Sequence, residues 1–132
     1  MWPTPDVGDI LLCRFPQLPD VTPGPKNRPC IVLEVDDRYN PPRVLVCYGT
    51  SQHQDERHPG EFKVTKEDGV AFEAAGLSYD TKFALNARIT IPYNDTWFAL
   101  PSRFAKSTPK LGVMHASIMR RFFVAAQEAG LV

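Results

Sequence analysis

Hydrophobic positions along the chain fall into short runs separated by polar, proline-rich breaks. Asp9 to Phe15 is an apolar run of strand length, ended by Pro16. Cys30 to Val35 is a second run, and the valine-rich stretch Arg43 to Tyr48 is a third. Residues 36–42 between them carry the Asp, Asn and Pro chemistry of a turn. Three runs and two breaks predict a meander of antiparallel strands. The first break, Phe15 to Asn27, holds Pro16, Pro19, Pro23, Pro25 and Gly24, so it is neither a helix nor a central strand. Further on, Glu61–Val64, Lys82–Ile91, Thr96–Leu100 and Lys110–Val113 are strand candidates. Thr65 with Asp68 three residues later reads as a capping box opening a short helix, and Gly76 would close it. Ile118, Met119, Phe122, Phe123, Ala126 and Ala129 recur at three- and four-residue steps, which predicts a terminal amphipathic helix stopped at Gly130. The fold class expected is mainly β with helices (α+β): a small, strongly bent antiparallel barrel packed against a short helix and a C-terminal amphipathic helix.

The chain has 132 residues, the size of one ordinary domain, expected to span 1–132. With 43% hydrophobic and 23% charged residues it is globular in composition. It has no apolar run of membrane-spanning length, and Met1 to Asp6 lacks the basic and apolar regions of a signal peptide. A cytoplasmic protein with no membrane partner is expected. Cys13, Cys30 and Cys47 each sit inside an apolar run and cannot all pair. They read as buried thiols in a reducing compartment. No spacing suggests a metal site, and no phosphate loop or other cofactor motif is present, so no cofactor is expected.

Charge is uneven. Residues 1–81 carry 8 basic and 13 acidic residues, a net of −5, whereas residues 82–132 carry 7 and 2, a net of +5. Between Pro101 and Arg121 lie Arg103, Lys106, Lys110, Arg120 and Arg121 with no acid among them. Such a stretch either attracts a polyanion or an acidic partner, or is a solvated face.

Candidate chemistry comes from two polar segments. Lys26-Asn27-Arg28-Pro29 stands at the entry to the second strand, where a guanidinium can fork onto phosphate oxygens; the alternative is a surface arginine or half of a salt bridge. Gly49-Thr50-Ser51-Gln52-His53 stands at the exit of the third strand; the alternative is a capped polar turn. His58 follows in the same loop, and His115 is placed to cap or pack against the last helix. If the second and third strands are antiparallel neighbours, Arg28 and Thr50/Ser51 share one corner of the sheet. That corner suits phosphodiester chemistry on RNA, where the 2′-hydroxyl is the nucleophile and the site supplies proton transfer and donors for the phosphoryl oxygens.

The runs Gly8 to Phe15, Asn27 to Leu33 and Val44 to Ser51 resemble the MazF/PemK toxins of type II toxin–antitoxin systems in order and rough spacing. Thr90-Ile91, Lys110-Leu111-Gly112 and the terminal helix extend the resemblance. It implies an SH3-like barrel, a homodimer, and cleavage of single-stranded RNA at short sequences without metal. It also implies an antitoxin whose acidic or disordered segment covers the groove. By that resemblance Arg28 stabilises the phosphate or acts as acid, and Thr50 or Ser51 positions it. Ala84 and Asn86 stand where some members carry an Arg and an Asp, with Arg88 close by. His53 or His58 would then stand in as base. The expected catalytic set is Arg28, Thr50, Ser51 and His53, with Lys26, Asn27, Gln52, His58, Asn86 and Arg88 binding substrate. Two other readings remain: a non-catalytic relative that binds RNA or an antitoxin-like peptide, and a structural interaction domain. Removing the side chains of Arg28 and Thr50 should leave stability nearly unchanged if both are exposed.

Overall fold

The computed structural model describes residues 2–102 and 106–132. Its centre is one antiparallel sheet of six strands: β1 (Asp9–Cys13), β2 (Arg28–Asp36), β3 (Arg43–Thr50), β4 (Glu61–Val64), β5 (Thr81–Pro92) and β6 (Lys110–Val113). The spatial order is β4-β5-β3-β2-β1-β6. The predicted meander therefore forms, with β1 beside β2 and β2 beside β3. The sheet curls as a half-barrel whose edge strands, β4 and β6, do not pair among the described residues.

Side-chain alternation along the strands feeds two cores, one on each face. Ile10, Ile31, Cys47, Phe83 and Leu85 point to one, where they meet α1 (Val70–Ala75) and α2 (Met119–Glu128). Leu11, Cys13, Cys30, Val32, Val44 and Val46 point to the other, closed by Tyr93 and Phe98. β5 serves both. Cys47 pairs with Arg88 but Tyr48 with Ala84, so residues 85–87 bulge out of the ladder and the strand changes direction. All three cysteines are fully buried and free, as expected.

The predicted caps are present. Thr65 and Asp68 form the capping box, although the element it opens is a single 3-10 turn before α1. Gly76 closes α1 in the left-handed region at φ 69°, and a Cβ there would lie 2.0 Å from the Leu111 carbonyl oxygen. His115 caps α2's approach by accepting from the Ser117 N–H at 3.1 Å.

Two expectations need correction. Thr96–Leu100 is not a strand. Asn94 organises a tight turn there, its side-chain oxygen accepting from the Thr96 and Trp97 N–H groups, and only Phe98 bridges to β1, at Cys13. Arg14 reinforces the turn by donating to the carbonyls of Asp95, Thr96 and Phe98. The packed face of α2 is one position narrower than its spacing predicts. Ile118, Ala125 and Ala126 are buried, but Phe123 is 53% exposed. The inward face runs through Phe122, Ala125 and Ala126, and Phe123 falls at its outer margin.

Candidate functional site

The register of β2 on β3 decides what meets at this end of the sheet. Cys30 pairs with Tyr48, which sets Arg28, at the start of β2, opposite Thr50, at the end of β3. Gly49 lets the strands approach. A Cβ at that position would lie 2.6 Å from the Pro29 carbonyl oxygen and 2.8 Å from the Phe83 ring, so no other residue fits without a shift.

Arg28 is half-buried, with its guanidinium carbon 5.1 Å from the centroid of the Tyr48 ring. Tyr48 is held in turn by Phe15, at 5.4 Å between centroids. The stack fixes the guanidinium on an aromatic face, leaving its N–H groups for an incoming acceptor. Among the described residues no carboxylate pairs with Arg28 or with Lys26. A cationic pair of this kind attracts an anion without first breaking a salt bridge.

Thr50 is buried, at 8% exposure. Its Oγ1 accepts from the Gln52 N–H at 3.1 Å, which shapes the turn and leaves the hydroxyl proton free to donate. The condition under which removing the Thr50 side chain would leave stability unchanged, its exposure, is therefore not met. The following turn is tied down from below. Lys82, only 4% exposed, donates to the carbonyls of His53 at 2.9 Å and Glu56 at 3.4 Å, and forms an ion pair with Glu61 at 3.4 Å. Lys63 donates to the Gln54 carbonyl, and Glu128 of α2 accepts from Arg57 and from the Gly60 N–H. The Gly60 N–H lowers the Glu128 pKa, with Arg57 adding to the effect.

Six of the expected residues line one cleft of about 390 Å³: Lys26, Asn27, Arg28, Thr50, Ser51 and Gln52. The opposite wall comes from Leu77, Ser78 and Tyr79, with Pro101 and Ser102 nearby. The other four expected residues do not line it. His53, at φ 56°, turns its ring toward Glu56 at 3.6 Å, and His58 meets the other oxygen of Glu56 at 3.1 Å. Asn86 donates to the Pro59 carbonyl at 2.9 Å, which pins the bulge of β5 to the loop. Arg88 donates to the Leu85 carbonyl at 3.0 Å, inside the same bulge. These two hold the backbone in place.

The basic stretch is less one-signed than its sequence. Lys110 pairs with Asp9 at 3.3 Å, and Arg121 forks onto Asp68 at 2.7 and 2.9 Å. Lys106 and Arg120 are exposed, and Arg103 lies outside the described residues. Tyr48 and Tyr79 are the site residues that sequence reasoning missed. Tyr48 precedes the Gly-Thr step and was absorbed into an apolar run, and Tyr79 lies in a segment with no periodicity. Among the described residues no three His, Cys, Asp or Glu side chains converge as a metal site, and no helix is long and apolar enough to cross a membrane.

Comparison with curated protein sequences returns no match. Among solved structures the chain is similar to an endoribonuclease in complex with its cognate antitoxin from Mycobacterial species, at 15% identity and a TM-score of 0.60, covering 97% of each chain. At that identity the likeness shows a shared fold. The sequence profile of the PemK-like, MazF-like toxins of type II toxin–antitoxin systems matches residues 6–94, which holds β1 to β5 and the Arg28–Thr50 corner. By that match the chain belongs to the PemK-like, MazF-like toxin family.

Proposed function

We propose that the protein is a toxin endoribonuclease that cuts single-stranded RNA at short sequences by attack of the 2′-hydroxyl on the adjacent phosphorus, without a metal ion. The observation that carries this reading is that Arg28 and Thr50 line one cleft, where neither Arg28 nor Lys26 meets a carboxylate among the described residues. The nucleophile belongs to the substrate, so the protein's task is to hold the phosphate in line and stabilise the charge that grows on its oxygens. Arg28 can fork onto two of those oxygens, Thr50 can donate its hydroxyl proton to one, and Lys26 adds a point charge. As the 2′-oxygen bonds to phosphorus its proton passes to water, the bond from phosphorus to the 5′-oxygen breaks, and the 5′-oxygen leaves with a proton supplied by Arg28 or by water, giving a 2′,3′-cyclic phosphate and a 5′-hydroxyl end.

Neither His53 nor His58 faces the cleft. Replacing either with Ala should therefore cost far less than the roughly 10²–10⁴-fold that a general base supplies. A loss of that size in His53→Ala, measured as single-turnover cleavage, would place its ring at the phosphate after all. An antitoxin with an acidic, disordered segment would neutralise Arg28 and Lys26 and cover the same cleft.

The test is incubation of the purified protein, in EDTA, with mixed-sequence single-stranded RNA, beside Arg28→Ala, followed by mapping of the ends. Cuts at a short recurring motif with cyclic phosphate ends, lost in the variant, are the expected result. Intact RNA that is nevertheless bound would make the protein a non-catalytic binder of the same fold.

A further inference from the structure

Lysine is rarely buried, yet Lys82 is only 4% exposed. Its place on β5 is opposite Thr50 on one side and Lys63 on the other. A buried ammonium must recover its lost hydration from partners, and an apolar side chain in its place would need none. The partners here are the Glu61 carboxylate at 3.4 Å and the carbonyls of His53 and Glu56 at 2.9 and 3.4 Å. We propose that Lys82 is a positioning residue for cleavage: through the His53 carbonyl it holds the turn after Thr50 in the form that presents the Thr50 hydroxyl to the cleft. The proposal rests on RNA being cut at the Arg28–Thr50 corner.

The turn does not favour that form by itself. His53 has φ 56°, in the left-handed region that residues with a Cβ enter at a cost. Next to it, Gln54 keeps a buried side-chain oxygen, Oε1, without a hydrogen-bond partner among the described residues. Both features penalise this path of the chain, and both lie in the stretch that follows Thr50. What opposes them is charge-assisted hydrogen bonding from below, from Lys82 to the His53 carbonyl and from Lys63 to the Gln54 carbonyl.

From there the route to the site is short. Gln54 Nε2 donates to the Thr50 carbonyl at 3.2 Å, and the Gln52 N–H donates to Thr50 Oγ1 at 3.1 Å. A turn released at His53 would loosen both bonds on Thr50, and with them the direction of its hydroxyl. Lys82 does not line the cleft, so it acts through this turn and not on the substrate.

Lys82→Met removes the charge and keeps the length of the side chain. Adding Glu61→Gln removes the stranded carboxylate and keeps an acceptor for the His58 N–H. Replacing both members of a buried ion pair is often neutral for stability, whereas removing one is not. The double variant is therefore the one to read if Lys82→Met alone does not fold. Its single-turnover cleavage at saturating protein should fall about 100-fold, the loss that a shift of about 1 Å in a positioned group brings. Its affinity for an RNA whose nucleophilic 2′-hydroxyl is replaced by hydrogen should change by less than about twofold, because Arg28 and Lys26 are untouched. Hydrogen exchange of the Gln52 amide should quicken by about tenfold. Adding His53→Gly should restore about tenfold of the lost rate, since glycine takes a positive φ without strain.

A folded double variant that cuts at the wild-type rate would overturn the proposal. A loss of affinity as large as the loss of rate would also overturn it, by making Lys82 a distant charge that attracts RNA. So would a His53→Gly addition that restores nothing. If the wild type binds RNA without cutting it, the ribonuclease reading falls, and the Gln52 amide still decides. Unchanged exchange in the folded double variant would show that Lys82 does not hold the turn.

Discussion

At the scale of single residues, Arg28 and Thr50 do different things to the molecule. Arg28 stacks on Tyr48 and pairs with no carboxylate among the described residues. Arg28→Ala should abolish cleavage while shifting the unfolding midpoint little. Arg28→Lys should not rescue it, because an ammonium cannot span two oxygens as a guanidinium does. Thr50 is buried and holds the Gln52 N–H. Thr50→Ala should cost about 1 kcal/mol in denaturant unfolding as well as activity, since the Gln52 N–H loses its partner and the turn its brace. Gly49→Ala tests the corner itself. Its methyl group would press on the Pro29 carbonyl and the Phe83 ring, and the strain should cost about 1–3 kcal/mol and move β2 away from β3. Wild-type stability with wild-type cleavage in that variant would show that the strands part freely there.

At the scale of elements, α2 is fastened by ion pairs at both ends, Arg121 with Asp68 and Glu128 with Arg57, as well as by its apolar face. Asp68 accepts from the Thr65 N–H at 2.7 Å and from both terminal nitrogens of Arg121. The Arg121 hydrogen bonds lower the Asp68 pKa most, and the Thr65 N–H adds to this against the opposing effect of burial. A lowered carboxyl contributes stability above its ordinary range of about 4 and loses that contribution as pH falls through its folded value. Asp68→Asn should therefore lower stability at neutral pH by about 1–3 kcal/mol, and the gap to wild type should close in acid. A gap that persists at low pH would assign the effect to the capping turn alone. Phe122 is half-buried against Phe62, so Phe122→Ala should cost less than the 3–5 kcal/mol of a fully buried ring.

The six strands and α2 are legible because their periodicities are local, and α1 because Thr65, Asp68 and Gly76 mark its ends. The turn at residues 94–98 was misread because a hydrophobic run there looks like a strand, and what prevents one is Asn94 acting on its own neighbours. Phe123 was misassigned because a helical step of one residue moves a side chain by about a quarter turn, and sequence alone does not set where the packed arc ends. The Arg28–Thr50 corner could be anticipated from strand order alone. The positions of His53 and His58 could not, since they depend on Lys82 pulling the loop backbone from beneath.

At the scale of the whole molecule, the two cores are joined through a continuous sheet, and the cysteines lie on both faces of it. Burial raises the Cys47 pKa to about 12 and that of Cys30 well above its ordinary value. Native protein should therefore resist thiol reagents at neutral pH, and the labelling rate should track the population of the open chain across a denaturant series. Fast labelling without denaturant would mean that the sheet opens locally near β2 or β3. The neck of the proline-rich loop, where the Gly24 N–H donates to the Arg14 carbonyl at 2.9 Å, has a consequence for how such a protein can change over generations. Because the Arg14–Gly24 bond closes the loop at its base, residues between Pro16 and Pro23 can be exchanged or lengthened while the strands on either side keep their register. Each added residue costs little closure entropy. The tip of that loop is a replaceable cassette, free to vary among descendants on a scaffold that stays the same.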